Sequence, residues 1–170
     1  MITLYAAASL DGRIADAEGG VGWLAPFEAA DDYGLGRFME RVSCVVMGRR
    51  TYEQARGFGE WPYEGKRLVL LSHAALPDLP APATRHAGPI APLVPALRRE
   101  TGDAWLVGGA EVFAQFLRAG AVDRIEMFLM PLLLGAGPAL LPAGQGAWRL
   151  LEHEAFPNGV VRLAYAPVSA

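Results

Sequence analysis

The sequence predicts an α/β fold: a mostly parallel mixed sheet of about eight strands, helices on both faces and an antiparallel hairpin at the end. Three observations predict it. Continuous apolar runs of strand length alternate with segments of helical period, the pattern of a buried parallel sheet. Residues 104–120, AWLVGGAEVFAQFLRAG, read as strand, tight turn and helix. Trp105, Leu106 and Val107 form the run, Gly108-Gly109 the junction, and Val112, Phe113, Phe116 and Leu117 recur at helical spacing until Gly120. Near the end, Asn158-Gly159 stands between two strand-like runs, 148–156 and 160–166, a strong hairpin signal.

A chain of 170 residues reads as one domain, residues 1–170, so a cofactor and a substrate would share one cleft. Hydrophobic residues at 52% exclude disorder, and a net charge of −3 gives no basic face for nucleic acid. Cys44 is the only cysteine and lies inside an apolar run, which suits a buried strand thiol and leaves no disulfide or cysteine metal site within one chain. Residues 1–10 are apolar but lack a basic leader and a cleavage site, so a cytoplasmic protein without membrane contact is expected.

Taken in order, residues 2–8, ITLYAAA, form the first strand, and Ala6 and Ala7 leave room for a group to lie against its end. Residues 9–23 carry Gly12, Gly19, Gly20 and Gly22, and read either as a loop covering a cleft or as an ordinary connection. Residues 27–41 suit a helix through Phe27, Tyr33, Phe38 and Met39, with Glu28, Asp31 and Asp32 in its first half, where the helix dipole tolerates negative charge. Residues 44–47 are a second strand, and Gly48-Arg49-Arg50-Thr51 turns it into a short helix. Two arginines and a hydroxyl there either grip a phosphate, whose oxygens match guanidinium forks, or are surface charges. The aromatic loop 57–65 precedes a third strand, 67–72, ending in Ser72 and His73. His73 reads as a general acid, a phosphate contact or neither. Residues 74–89 are proline-rich and irregular, with a short strand near 84–86, and residues 90–100 suit a helix.

Gly108-Gly109 either lets amides and a helix N-terminus cradle an anion such as a pyrophosphate, or serves close packing of helix on strand. After Gly120, residues 124–130 give another strand, and the apolar segment 131–142, if exposed, would mark a subunit contact. Ligands of such sheets bind beyond the carboxyl ends of the strands, where Ser9, Gly48, Ser72 and Gly108 would gather.

Four strand-end stretches in this order, MITLYAAASLDGRIA, VVMGRRTYEQ, RLVLLS and WLVGGAEVFAQFL, resemble the dihydrofolate reductase fold. With the tail RIEMFLMPLLLGAGPALLP, the sequence is more similar to the dihydrofolate-reductase-like family that includes the reductase domain of bacterial riboflavin biosynthesis, the RibD C-terminal type, over essentially the whole chain. The resemblance implies a three-layer α/β/α fold with NADPH lying across the strand ends, which favours the phosphate readings above. It implies that Gly108-Gly109 and the amides of Ala110 and Val112 hold the pyrophosphate. Arg49, Arg50 and Thr51 would hold phosphate groups, and Ser72 and His73 would lie near the adenosine 2′-phosphate. Ala6, Ala7 and the loop 11–23 would frame the nicotinamide, while Ile14, Gly48, Val107 and Phe113 complete the implied cofactor set. Glu111 departs from the family pattern, in which folate reductases can place an arginine, and would repel a pyrophosphate unless it faces solvent.

On the substrate side, the resemblance maps the family's helix carboxylate to Asp32 counting back from Met47, or to Glu28 counting forward from Trp23; Asp32 is preferred because a strand is the firmer anchor. The family's strand hydroxyl falls at Phe128 and its carboxylate-gripping guanidinium at Lys66, a point charge without a bidentate fork. Both departures point away from folate, toward a smaller heterocycle carrying a phosphate for Lys66. Trp23 completes the substrate set, and Trp61 with Tyr63 either stacks on a flat substrate or packs the core or loop; no metal is expected. The expected activity is NADPH-dependent hydride transfer to a C=N or C=O bond of a pterin-like or ribosylated aminopyrimidine, with 5-amino-6-(5-phosphoribosylamino)uracil reduction the most economical named step and Asp32 the catalytic residue. Dihydrofolate reductase proper and a non-catalytic nucleotide-binding module are the alternatives. A homodimer through the late strands and residues 131–142 is expected.

Overall fold

The computed structural model describes residues 1–76, 79–141 and 146–168. Its strands are β1 (Ile2–Ser9), β2 (Val42–Gly48), β3 (Arg67–Leu71), β4 (Ala83–His86), β5 (Asp103–Gly108), β6 (Arg124–Met130), β7 (Trp148–Ala155) and β8 (Val161–Pro167). They form one sheet in the order β4-β3-β2-β5-β1-β6-β8-β7. The first six in this order are parallel, and β8 and β7 add the antiparallel hairpin. The expected fold class is the observed one. The strands that read as continuous apolar runs, β1, β2, β3 and β5, lie side by side in the middle, where both faces are covered.

The side-chain period of two divides the core into two layers. Ile2 and Leu4 join Val46, Leu106 and Phe113 on one face, whereas Tyr5 joins Val45, Trp105 and Phe128 on the other. Helix α5 (Ala110–Arg118) covers the first face through Val112, Phe113 and Phe116, and α4 (Val94–Arg98) through Leu97. Helix α2 (Leu35–Arg41) covers the second through Phe38, and α3 (Arg49–Arg56) through Tyr52.

Two helices differ from the sequence expectation. Residues 27–41 are not one helix: a short α1 (Ala25–Glu28) is separated from α2 by a turn. The cause is local competition for backbone amides, since Asp31 accepts from the Tyr33 N–H at 2.7 Å and Asp32 from the Gly34 N–H at 2.8 Å. Tyr33 and Gly34 then take left-handed backbone, φ 51° and 80°. The helix expected over 90–100 is confined to α4, because Pro92 and Pro95 leave only a turn before it. Pro142, which closes the apolar segment read from the sequence, lies outside the described residues. Among the described residues no helix is long and apolar enough to cross a membrane, and no group of three or more His, Cys, Asp or Glu is placed to hold a metal ion.

One feature of the second face has no sequence signature. The carboxylate of Glu126 on β6 is 2% exposed and accepts from Arg124 Nε at 2.7 Å and from Arg162 Nε and Nη2 at 3.1 and 2.9 Å. Arg41 lies 3.5 Å away, at the end of α2. Burial pushes the Glu126 carboxyl pKa up, but the hydrogen bonds and charges of Arg124 and Arg162 together outweigh burial and hold it below the ordinary value.

Candidate active site

The parallel strands end together, and the register sets their ends level: Met47 pairs with Gly108, Gly48 with Leu71, and Leu71 with His86. Two helices start from neighbouring strand ends at this rim. Helix α3 has Gly48 at its N-cap and α5 has Gly109, and neither N-cap makes a side-chain capping bond. The two positive helix ends therefore stand side by side. Their glycines keep the gap open: a Cβ on Gly48 would meet Val112 Cγ2 at 3.4 Å, and one on Gly109 would come 3.6 Å from Thr51 Oγ1. Gly108 has φ +125°, a conformation that L side chains rarely adopt, and the Gly108-Gly109 peptide is cis. Two helix termini and a hydroxyl so placed form a cradle that could hold an anion.

Within it, the implied role of Val112 needs correction. Its N–H already donates to the Gly109 carbonyl at 2.9 Å, so helix geometry leaves the Ala110 and Glu111 amides open instead. The side chains of Val112 and Phe113 are core, facing the first layer. Glu111 is exposed, with Arg118 Nη1 at 3.8 Å and Gln115 Nε2 at 3.4 Å, so its carboxylate faces solvent and need not repel an anion. Arg49 and Arg50 are exposed at the start of α3, and Arg49 Nε donates to Glu53 at 2.7 Å. Ser72 Oγ donates to the Ala74 carbonyl, while His73 is exposed.

Ala6 and Ala7 lie next to this level on β1, paired with Met127 and Phe128. The loop that follows is clasped to the segment after β6. Asp11 accepts from Ser9 Oγ at 2.6 Å and from the amides of Leu134 and Gly135 at 3.0 and 2.8 Å. Those donors, Ser9 first, hold its carboxyl at about 2. Backbone bonds from Leu10 to Leu132, Ile14 to Pro138 and Leu140 to Gly12 complete the clasp, and Gly137 packs so tightly on the Ala15 carbonyl that a Cβ has no room. Ile14, half-buried, packs on the first core layer. The apolar segment expected to meet another subunit thus spends much of its backbone on this loop.

On the second face, the carboxylate of Asp32 is exposed and fixed by the amides of Gly34 and Gly36, which hold its pKa below the ordinary value. Glu28 is also exposed, at the end of α1. Beneath α2, Tyr5 stacks on Phe38 with ring centroids 4.1 Å apart, and Trp105 and Phe128 close the cluster. Phe128 is therefore a core residue, 3% exposed. Trp23 is half-buried against this layer, and its Nε1–H is buried without a partner among the described residues. Val107 is half-buried on the same face.

Lys66 stands apart from the rim, whereas the Trp61 ring meets that of Tyr52 on α3, with centroids 5.6 Å apart. Lys66 precedes β3, at the opposite end of the strand from Ser72, and its Nζ donates to the Met39 carbonyl at 2.9 Å. With Trp61, Tyr63, Glu60, Glu64 and Pro82 it lines a groove of about 530 Å³. Two carboxylates beside one committed ammonium make this a poor phosphate site.

The family model described as the RibD C-terminal domain matches residues 89–162. The uncharacterized protein YwjB of Bacillus subtilis (strain 168) is 32% identical over 136 residues, spanning 79% of this chain and 78% of its own. The chain belongs to the RibD C-terminal, dihydrofolate-reductase-like family. Among solved structures, a Shewanella sp. PV-4 protein assigned provisionally to riboflavin biosynthesis superposes with TM-score 0.85 at 26% identity, over 99% of this chain and all of its own (100%). A dihydrofolate reductase from Enterococcus faecalis complexed with NADP(H) shares the fold, with TM-score 0.72 at 18% identity, covering 99% of this chain and 97% of its own.

Within this RibD-type chain the rim gains one residue that sequence reasoning missed. Arg85 on β4 donates from Nη1 to the carbonyls of Ser72 at 3.1 Å and His73 at 3.2 Å. The expected strand near 84–86 was the only available signal, because the pairing of β4 with β3 decides which residues stand beside Ser72.

Proposed function

We propose that this protein is an NADPH-dependent reductase acting on a C=N or C=O bond of a ribosylated aminopyrimidine or pterin-like ring, with 5-amino-6-(5-phosphoribosylamino)uracil the leading candidate. The observation that carries this reading is the pair of uncapped helix starts at Gly48 and Gly109, adjacent and kept open by glycine. The residues present fit a dinucleotide. Amides of Ala110 and Glu111, the Thr51 hydroxyl and the Arg50 guanidinium would hold its pyrophosphate. When bound, the coenzyme supplies the hydride; the chain supplies binding, orientation and electrostatics.

Asp32, with its depressed pKa, is a carboxylate at neutral pH. It acts as an acceptor for ring N–H or amino groups and orders the water that delivers a proton, a contribution of about 10²–10⁴-fold for well-placed acid–base groups. The unpartnered Trp23 Nε1–H is a donor available to a ring carbonyl on the same face. The Tyr5–Phe38 stack occupies the floor, which favours a ring smaller than a folate.

Titration with NADPH is expected to quench tryptophan emission and raise the melting temperature; at 100 times the Kd, binding adds about 2.7 kcal/mol of stability. No response in either signal removes the reductase reading. Asparagine keeps a side-chain oxygen that can accept from the Gly34 N–H, so Asp32→Asn keeps the turn before α2 while changing the charge. Turnover is then expected to fall about 100-fold or more, with NADPH affinity unchanged. Equal losses in both would take Asp32 out of the chemistry.

A second copy is proposed against the late strands, where Leu133, Leu150 and Val168 are 71, 45 and 52% exposed. Sedimentation as a dimer at micromolar concentration is the expected result, and a monomer overturns it.

A further inference from the structure

The turn that carries Asp32 holds the one residue other than glycine, among those described, with a positive φ: Tyr33 at 51°. Glycine adopts this left-handed backbone freely, whereas a bulky side chain there is strained, so its surroundings must hold it in place. They do so from three directions. The Tyr33 N–H donates to Asp31 Oδ1 at 2.7 Å, and the Tyr33 hydroxyl donates to the Phe27 carbonyl on α1 at 3.1 Å. The same hydroxyl accepts from Asn158 Nδ2, at the tip of the β7–β8 hairpin. Beside that tip, the Phe156 ring meets the Tyr33 ring edge-on, with centroids 4.9 Å apart. The tip is itself anchored: Asn158 Oδ1 accepts from the Val160 N–H at 3.4 Å, and a Cβ on Gly159 would meet Pro131 Cγ at 3.3 Å.

These tethers reach the carboxylate through the backbone. Asp32 Oδ1 accepts from the Gly34 N–H at 2.8 Å, and Oδ2 from the Gly36 N–H at 3.2 Å. A carboxylate closed on the amide two residues ahead takes its direction from the backbone of the residue between, which here is Tyr33. Were Tyr33 to relax out of the left-handed region, the Gly34 N–H would rotate and the carboxylate would turn with it. We propose that Tyr33 and Asn158 are positioning residues: pinned by the hairpin, Tyr33 holds the Asp32 turn in the shape that aims its carboxylate at the substrate. The proposal rests on the reductase reading, in which Asp32 takes part in the chemistry, and adds the β7–β8 hairpin to the site. The Tyr33 hydroxyl, already donating and accepting, is a tether and not the acid.

The experiment pairs Tyr33→Phe, which keeps the ring and removes both hydroxyl tethers, with Asn158→Ser, which keeps a turn-forming residue too short to reach Tyr33. Each is made alone and together with Asp32→Asn. For all of them kcat and KM are measured on 5-amino-6-(5-phosphoribosylamino)uracil and on a dihydropterin, alongside NADPH Kd and melting temperature. Each single variant is expected to lower kcat about 10-fold, more than it changes KM, because small misplacement of a reacting group is costly, while NADPH Kd stays within about twofold. In the Asp32→Asn background the loss is expected to vanish, leaving kcat within about twofold of Asp32→Asn alone, because the tethers act through that carboxylate. Carboxyl carbon resonances add a readout that needs no substrate. The amides of Gly34 and Gly36, with a smaller contribution from the Arg37 charge, hold the Asp32 pKa below its ordinary value of 3.8, so loosening the turn is expected to raise it. The Tyr5 phenol on the sheet beneath, pushed up by burial, stays neutral throughout such a titration.

Losses that multiply in the double variants would place the effect outside Asp32 and overturn the proposal. So would an unchanged kcat, an Asp32 pKa that does not move, or a fall in NADPH affinity as large as the fall in kcat, the mark of general loosening; in each case the reductase reading stands. A wild-type chain that reduces neither acceptor defeats the reductase reading and this proposal with it.

Discussion

Glu126→Ala is expected to lower the unfolding free energy by about 3 kcal/mol, because removing the buried member of an ion cluster leaves the others desolvated and without their main acceptor. The stranded groups are the guanidiniums of Arg124, two residues back on the same strand, and Arg162 on neighbouring β8, both of which donate to this carboxylate. Glu152 on β7 still accepts from both arginines but is exposed and cannot fill the space left on β6. The pH dependence has a definite sign. The folded-state pKa of Glu126 lies below its ordinary value of 4.5, so its contribution is complete above that value and is lost as pH falls through the folded pKa. Urea unfolding of wild type and variant between neutral and acid pH checks both statements: the gap between the two proteins should be widest at neutral pH and narrow below pH 4.5. A gap under about 1 kcal/mol, the range of surface pairs, would mean that the cluster is a solvated ornament of the sheet.

Gly108→Ala is expected to damage both the fold and the proposed coenzyme cradle. A side chain at φ +125° costs about 1–3 kcal/mol in backbone strain. Its Cβ would also stand 3.2 Å from the Phe113 ring, which is fully buried and has nowhere to retreat. Relief requires the start of α5 to shift, which moves the Ala110 and Glu111 amides, so NADPH affinity should fall at least about 10-fold. Gly109→Ala supplies the contrast. Its Cβ meets only Thr51 Oγ1 at 3.6 Å, an ordinary contact, so stability should hold while the filled cradle still rejects the pyrophosphate. Melting curves and NADPH titrations on the two variants separate the readings of this glycine pair. If Gly109→Ala binds NADPH as wild type does, the glycines serve helix packing alone.

The strands were legible because each is a local, continuous property of the chain; β6 falls on the span 124–130 read from the sequence. Strand order placed the glycine junctions together, and the strand-end rule anticipated that. What escaped was decided by side chains competing with the backbone or by partners distant in sequence. Asp31 and Asp32 break a helix that hydrophobic spacing supports, because periodicity records apolar faces and not the carboxylates that capture amides two residues ahead. Val112 at a helix start suggested an open amide, yet the Gly109 carbonyl takes it. Lys66 has the right charge at an aligned position, but its neighbours Glu60 and Glu64 and its bond to Met39 come from elsewhere in the fold. Arg85 was hidden in a proline-rich stretch until β4 paired with β3.

The clasp around Asp11 has a mechanical corollary. Residues 9–14 cannot lift away from the rim on their own, since Leu10, Gly12 and Ile14 are each tethered across to Leu132, Leu140 and Pro138. The tethered strip runs directly out of β6, the neighbour of β1, so a tug on either ribbon is transmitted to the other before the sheet itself deforms. Amide protons on the two ribbons should consequently exchange in step.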